Sequence, residues 1–430
     1  MCSPTLWTVI DATRTTLPLS LPYLDRSREL PLDVTLGAKT PADVLQQFVD
    51  RALQIRFLSF EGMSWAKWKA FSRCFSVSAL HSLLYLRISV TTQVDSTVPD
   101  SALFPHASNL RHLLIQISGP SAPIFSHIAF PSLTTIQITL QKIYIDRRTA
   151  IPVYPMVKLG QLLDILRLSP LLEDVNITLH KLTTEPGASH HPVPLPRLRD
   201  FIITCSPTPF PLLMSIDFPP TAYILARTGL EGECPTHDLM FSFGQQLSPL
   251  ISGSDELVFY FSDAPVQFAL QLNRGGATRA QFEYRFANCP MPPEQTFTFL
   301  KECPLDTIQR FAIRGWKVQR DTIKDQVSGT MRNLVNVETL LLKSSPHFLS
   351  LLLPAVQGGR LLFPTLKTLT IDDKQEIPLQ ELIQVLRVRA EAGFPLERVV
   401  LRAWHFEEAA SGLRQFVENI ECGGDADFQI

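Results

Sequence analysis

Ten times along this chain an apolar residue is followed by two variable positions, a second apolar residue, one variable position and a third apolar residue. The copies begin at Ile55, Leu83, Leu110, Leu133, Leu172, Leu198, Ile308, Val337, Leu366 and Leu396, from IRFLSF in the first to LERVVL in the last. Start-to-start steps are 28, 27, 23, 39 and 26 residues, and after a gap of 110 they are 29, 29 and 30. The second and third apolar positions lie two apart, so on a strand they share one face. The first lies three residues earlier, where the chain bends into the strand. Each copy therefore aims three apolar side chains at a core that only a stacked neighbour completes. Proline precedes several copies, in FPSL at Phe130–Leu133, LPRL at Leu195–Leu198 and FPTL at Phe363–Leu366. A residue with fixed φ and no amide donor suits a strand start and no central strand position.

Between the phrases run segments of helical period. Residues 43–52 (DVLQQFVDRA) follow Thr40 and Pro41, which suit an N-cap and a first helical position. The segment 65–75 puts Trp65, Trp68 and either Phe71 or Cys74 on one face, and 156–168 groups Leu159, Leu162, Leu163 and Leu166 before Ser169-Pro170 ends it. Residues 292–303 and 379–392 complete the set, the latter closed by Gly393 and Pro395. These apolar helix faces, tryptophans included, read as core. Strand and helix alternating at this period predict an α/β protein, an irregular leucine-rich-repeat solenoid. In such a horseshoe a parallel sheet lines the concave face and helices lie outside. Residues 1–40 form an N-terminal cap in this reading, and 41–430 the solenoid. Around 204–307 the phrase degenerates, leaving Leu257–Phe261 and Gln281–Phe286 as strands among degenerate repeats. The proline-rich stretch 206–220 reads as a loop or strand margin, and the 39-residue step as an extra-long connection.

Composition narrows the function. Of 430 residues 45% are hydrophobic and 19% charged, against an ordinary charged fraction of about 25%, which allows a large core and argues against disorder. A net charge of −2 supplies no global field toward nucleic acid or an anionic membrane, so neither is expected as a partner. The longest apolar run, 348–356, is broken by Ser350 and Pro354 and falls well short of the ~20 residues of a spanning helix. The first residues, MCSPTLWTVIDATR, carry no basic segment of a secretion signal. Seven dispersed cysteines without a CxxC pair read as reduced thiols, and together these features predict a cytoplasmic or nuclear location. The sequon Asn176-Ile-Thr178 falls inside a predicted strand and reads as a chance match. No GxxxxGK[ST], GxGxxG, GxSxG or HExxH occurs, and the adjacent pairs Asp372-Asp373 and Glu407-Glu408 diverge on a strand or helix. No catalytic residue, metal ligand or cofactor is assigned. A binding protein is expected, with an enzyme of dispersed site residues as the remote alternative.

The N-terminal block adds a resemblance. PTLWTVID at Pro4–Asp11, then YLDRSRELPLDVTL at Tyr23–Leu36, resembles the fungal F-box-like leucine-rich-repeat family. There the last F-box helix runs into a phrase like TPSLWTxID, followed by WLxRSGxxPLxLxL. The matching residues are Pro4, Leu6, Trp7, Ile10 and Asp11, then Leu24, Arg26, Ser27, Pro31, Leu32 and Leu36. LLDILRLSPLLEDVNI at Leu162–Ile177 and LRVRAEAGFPLERVVLRA at Leu386–Ala403 are similar to later repeats of that family. The resemblance implies the substrate-binding part of a cullin–RING ubiquitin-ligase subunit, whose F-box docks onto the Skp-family adaptor. Only three residues precede Pro4, so the F-box helices are expected to be missing and adaptor binding to be weak or absent. Trp7 is then expected to pack onto the first repeat. A repeat-only scaffold or decoy without ligase coupling is the alternative.

The variable strand positions give the expected protein-binding surface. On a strand the fifth phrase position, with the residues just before the second and just after the third apolar one, points away from the core. In the earlier copies these include Tyr85 and Arg87, His112 and Gln116, Gln137, Asp174 and Asn176, and Asp200. In the last four they include Arg310 and Arg314, Lys343, Asp372, and Arg398 and Arg402. The later copies are the more cationic, which predicts an acidic partner segment there, with steering that weakens in salt.

Overall fold

A computed structural model describes residues 8–13, 20–76, 80–91, 107–118, 130–141, 156–184, 191–205, 209–228, 248, 250–262, 267–285, 303–315, 329, 331–353, 361–372, 379–402 and 412–422. All ten phrases carry a strand, and the bend before eight of them is built alike. The amide of the first apolar residue donates to the carbonyl three residues back: Leu83 to Leu80, Leu110 to Ala107 and Leu133 to Phe130, each at 3.1 Å. The carbonyl of the second phrase position then accepts two amides from the next copy. Arg111 accepts from Thr134 and Thr135, both at 2.9 Å, and Glu338 from Lys367 and Thr368, again both at 2.9 Å. Side chains just before the phrase add a further link. The Asn109 and Asn336 amides donate to the carbonyls of His81 and Asp306 at 2.7 Å, and the Thr365 hydroxyl donates to that of Val335 at 2.8 Å.

The chain forms two units, Met1–Ala222 and Tyr223–Ile430. In the first, β1 (Val9–Ala12), β2 (Leu32–Gly37), β3 (Ile55–Ser64), β4 (Tyr85–Thr91), β5 (His112–Ser118) and β6 (Thr135–Gln141) pair in chain order. β7 (Met156–Lys158) leaves the row to pair with β9 (Lys181–Thr183), while β8 (Asp174–Leu179) follows β6. After the short β10 (Val193–Pro194), β11 (Asp200–Cys205) closes the series on β8. All of these pairings are parallel. Leu58, Leu86, Leu113 and Ile136 stand in one row, and Phe60, Ile88, Ile115 and Ile138 in the next, none more than 3% exposed. Each such burial is worth roughly 1.5–3 kcal/mol against exposure. Between the strands lie α1 (Ser20–Ser27), α2 (Ala42–Asp50), α3 (Trp65–Ser76) and α4 (Leu159–Arg167). The α3 helix covers the core face: Trp68 meets the Phe60 ring edge-on at 4.8 Å.

Several details depart from the sequence reading. On α3, Phe71 is buried and Cys74 exposed, so the aromatic residue continues the apolar face. Pro41, rather than Thr40, occupies the N-cap of α2. The buried Thr40 hydroxyl donates to the Ala12 carbonyl at 2.7 Å and accepts the Gly37 amide at 2.8 Å, tying β1 to the end of β2. Gly37 is required there, because a Cβ would lie 2.8 Å from the Thr13 backbone. Met156–Lys158 is strand and not the first turn of α4, and β7 with α4 falls within the long step after Leu133. The proline-rich stretch contains a short helix, α5 (Phe210–Leu213), and β12 (Ile216–Asp217), which pairs in parallel with β10. The expected helix at 292–303 and the packing of Trp7 fall outside the described residues.

The second unit begins with β13 (Tyr223–Thr228), which pairs in parallel with β16 (Ala277–Arg285). β14 (Glu256–Ser262), β15 (Gln267–Arg274) and β16 form an antiparallel meander in place of the degenerate repeats expected. The β15–β16 turn runs through Gly275 and Gly276, at φ 57° and 82°. That is the left-handed pair a two-residue hairpin demands. From β14 the ladder resumes in parallel through β17 (Arg310–Arg314), β18 (Thr339–Lys343), β19 (Thr368–Asp372), β20 (Arg398–Leu401) and β21 (Asn419–Cys422). The protein is thus mixed α/β, its sheet mostly parallel and its helices few, and no closed barrel forms among the described residues.

One buried cation fixes the periphery of the second unit. The helix α6 (Leu379–Glu391) carries Arg389, which is 0% exposed. Its guanidinium donates to the carbonyls of Leu362 and Phe363 at 3.0 and 2.9 Å. Phe363 has φ 52°, a conformation uncommon outside glycine, so Arg389 braces a strained turn just before β19. Burial pushes the guanidinium down to about 10, still charged at neutral pH. Arg389→Met should leave the buried Leu362 carbonyl unpaired, at about 1–3 kcal/mol, and remove the charged donor from the Phe363 carbonyl, at about 1.5–3 kcal/mol, the Leu366 amide remaining on it at 3.0 Å. Chemical denaturation is expected to show a loss of roughly 2–5 kcal/mol, and a loss under 1 kcal/mol would remove the bracing role.

Candidate functional site

On the first unit the variable positions stand in register as rows across the strands. One row runs Phe57, Tyr85, His112, Thr135, Asp174, Asp200. Tyr85 is 41% exposed and lies flat on His112, ring centroids 4.2 Å apart and 5° between planes. Phe57 lies on the other side of Tyr85, its ring 6.3 Å away and tilted by 39°. Burial, then the charge of Arg111, pushes His112 below its usual range, with Asp174 acting in the opposite sense. A neutral imidazole at pH 7 matches this stacking.

The row turns acidic at its far end. Asp174 and Asp200 occupy directly paired positions on β8 and β11. Partial burial raises the Asp200 carboxyl, and the adjacent Asp174 charge and a hydrogen bond to it raise it further. The second row includes Arg87, Gln137 and Asn176. Arg87 reaches Glu61 at 3.7 Å, a solvent-exposed pair of small energetic weight. Gln116 stands one row beyond, beside Ser89 and Thr139. The sequence-expected residues of the early copies therefore do share one face, with an aromatic and an acidic end.

The second unit arranges its expected residues differently. The fifth phrase position, expected to face outward, is buried there: Ala312, Leu341, Thr370 and Val400 are at most 8% exposed. Val258, Ala312 and Leu341 form a cluster on this face, with Tyr260 packed against it. Small and branched side chains at this position make the strands apolar on both faces, as is usual for covered parallel strands. Charge is left to the flanking rows, where it is paired. Arg310 reaches Asp255 at 3.5 Å and Glu256 at 3.8 Å, Lys343 reaches Asp372 at 3.0 Å, and Arg398 pairs with Glu421. Arg314 lies over the Tyr260 ring at 5.0 Å, a cation–π contact. Arg402 follows β20, its amide donating to the Ile371 carbonyl at 2.9 Å. The cationic surplus read from the sequence is thus largely engaged within the fold.

A polar network that sequence reading missed sits beneath Arg310. The Tyr260 hydroxyl donates to Gln271 at 3.0 Å, Gln271 donates to Asn273 and Thr278 at 2.8 Å, and Asn273 donates to Glu256 at 2.7 Å. β15 brings it together by pairing with β14 on one side and, through the Gly-Gly hairpin, with β16 on the other, and the alternation QFALQLNRGGATRAQFEYR was its signal. The network orients the carboxylate that faces Arg310. Among the described residues no three His, Cys, Asp or Glu side chains converge as a metal site, and no helix is long and apolar enough to cross a membrane. Comparison with protein-family models finds no match, and comparison with curated proteins finds none.

The Asp174–Asp200 pair yields a pH-dependent stability. Because the folded carboxyl of Asp200 is raised, its cost is absent below about pH 3.9, where the unfolded group is also protonated. It appears as the pH rises through the folded value and two like charges adjoin. Asp200→Asn should therefore stabilise the protein at pH 7 by a few tenths of a kcal/mol, solvent screening holding it to the low end of the ~0.2–1 kcal/mol cross-strand range. No gain is expected at pH 3. Equal gains at both pH values in denaturant titrations would rule out charge repulsion as the cause.

Proposed function

We propose that this chain is a protein-recognition module, an irregular leucine-rich-repeat solenoid whose sheet lines the concave side of a horseshoe. The observation that carries the reading is that the phrases of the first unit form strands in register with their neighbours, so that polar side chains from successive repeats gather in rows. Such rows offer an extended surface in place of a cleft, which suits binding of a macromolecule. The family resemblance gives the reading its direction: the substrate-binding part of an F-box-like ubiquitin-ligase subunit. Its block is structurally integral, which supports the likeness. Ile10, Leu24, Ser27, Leu32 and Leu36 are at most 3% exposed, and β1 and β2 extend the ladder ahead of the first phrase.

The test is affinity capture from a native lysate, with the intact chain and with Tyr85→Ala/Arg87→Glu as paired baits. Both positions are exposed on the sheet face, so the variant should fold, as circular dichroism would check. A subset of captured proteins is expected to fall about tenfold, equivalent to ~1.4 kcal/mol. An unchanged set with the fold retained would remove the sheet face of the first unit as the recognition surface. Co-elution of a Skp-family adaptor and a cullin would support the ligase assignment. Partners without them would favour a scaffold uncoupled from ubiquitin transfer.

A further inference from the structure

A groove of about 780 Å³ runs along the leading edge of the first unit's sheet, where the chain bends into its strands. It is distinct from the sheet face. Its lining comes from the second phrase position and the residue before the phrase: Arg56, Asn109, Arg111, Thr134 and Arg197 among others, with His81 from the turn before β4. From Arg56 on β3 to Arg197 before β11 the lining crosses five strand steps of about 4.8 Å, or roughly 24 Å.

The charges in this groove are unequally satisfied. Arg56 is held by Asp33 through two hydrogen bonds, 3.1 and 2.7 Å. Glu173, on the same edge, is engaged by Arg199 at 3.5 Å. Arg111 and Arg197 are exposed, and among the described residues neither side chain has a carboxylate at ion-pair distance. In the second unit, by contrast, Arg310, Lys343 and Arg398 each have one. Unpaired guanidinium charge therefore stands on this edge of the first unit, whereas Arg310, Arg314, Lys343 and Arg398 of the later repeats, where the sequence pointed, are engaged.

Spacing and composition decide what fits. Arg111 and Arg197 are three strand steps apart, roughly 14 Å along the backbone edge, so a chain laid across the strands would meet them in turn. An extended chain rising about 3.3 Å per residue would span the groove with roughly seven residues. Among the described residues no aromatic ring other than the His81 imidazole lines it, which offers none of the stacking platforms that single-stranded nucleic acid uses. We infer that this groove binds an extended Asp- and Glu-rich segment of a partner protein, with separate carboxylates on the guanidinium forks of Arg111 and Arg197. The inference rests on the protein-recognition reading and gives that partner its chemistry. Charge-assisted bonds to a planar fork are strong and geometrically selective.

The test is fluorescence anisotropy on the full chain with three labelled probes: a ten-residue Glu/Asp peptide, its Gln/Asn counterpart, and an oligothymidylate of equal length. The acidic peptide is expected to bind, more weakly as salt rises, and the neutral peptide not to bind. Arg111→Glu/Arg197→Glu should raise the dissociation constant at least tenfold, while Arg111→Lys/Arg197→Lys, which keeps the charge, should lose less. Failure of the acidic peptide to bind, equal binding of the neutral one, indifference to charge reversal, or tighter binding of the oligothymidylate would each overturn the assignment. If the groove fails while partner capture still depends on Tyr85 and Arg87, the groove alone is lost. If both fail, so does the recognition reading beneath it.

Discussion

The carbonyl at the second phrase position, shared between two amides of the next copy, is the constraint on which the rest depends. It recurs in both units, from Leu84 and Arg111 in the first to Gln309 and Glu338 in the second. Because side chains alternate along a strand, a slip of one residue would exchange the buried and exposed faces. The shared carbonyl locks the chain at the point where slippage would begin. The apolar positions behind it then fall into rows, and so do the polar ones in front. Core and surface are two outcomes of one backbone registration.

Identical ladders support different surfaces. In the first unit the fifth position is buried only in the first copy, at Ser59, and then carries Arg87, Leu114, Gln137, Asn176 and Ile202, side chains that remain half-buried or exposed. In the second it carries Ala312, Leu341, Thr370 and Val400, all buried. An apolar stripe along the middle of that face confines charge to its margins, and charges on neighbouring strands lie close enough to pair. The buried amides and carboxylate beneath Arg310 hold one of these pairs in place. The two units differ through one position in six, with no change in backbone construction.

The legible part of the fold was what the phrase encodes: strands at all ten copies, parallel pairing between successive ones within each unit, and core residues such as Leu58, Ile115 and Leu369. Helices α3 and α6 followed from spacing because their apolar faces repeat over three turns or more. The antiparallel meander was less visible, since Leu257–Phe261 and Gln281–Phe286 read as strands without direction and only the Gly-Gly pair marked a reversal. Thr40 looked like a cap because capping and cross-strand bridging use the same hydroxyl. The links from Asn109 and Asn336 were hidden because their acceptors are carbonyls, which carry no sequence signature. The ion pairs were hidden for a related reason: Arg310 and Asp255 are 55 residues apart, and only the fold makes them neighbours. Likewise the outward positions could be named in advance, but whether each charge was already spent depended on a neighbouring strand.

The uniform strand spacing also makes the first unit a ruler. Groups on successive strands are separated by whole multiples of about 4.8 Å, whereas an extended partner advances about 3.3 Å per residue. These two pitches do not agree strand by strand. They coincide at two strand steps and three residues, near 10 Å, the interval that separates Arg56 on β3 from Arg111 at the entry to β5. A segment laid across the strands can thus meet every second one with every third residue, and the strands between must be bridged or ignored. Selectivity on such a surface would come from periodicity in the partner's sequence, read as a vernier reads a scale, as much as from the chemistry of any single contact.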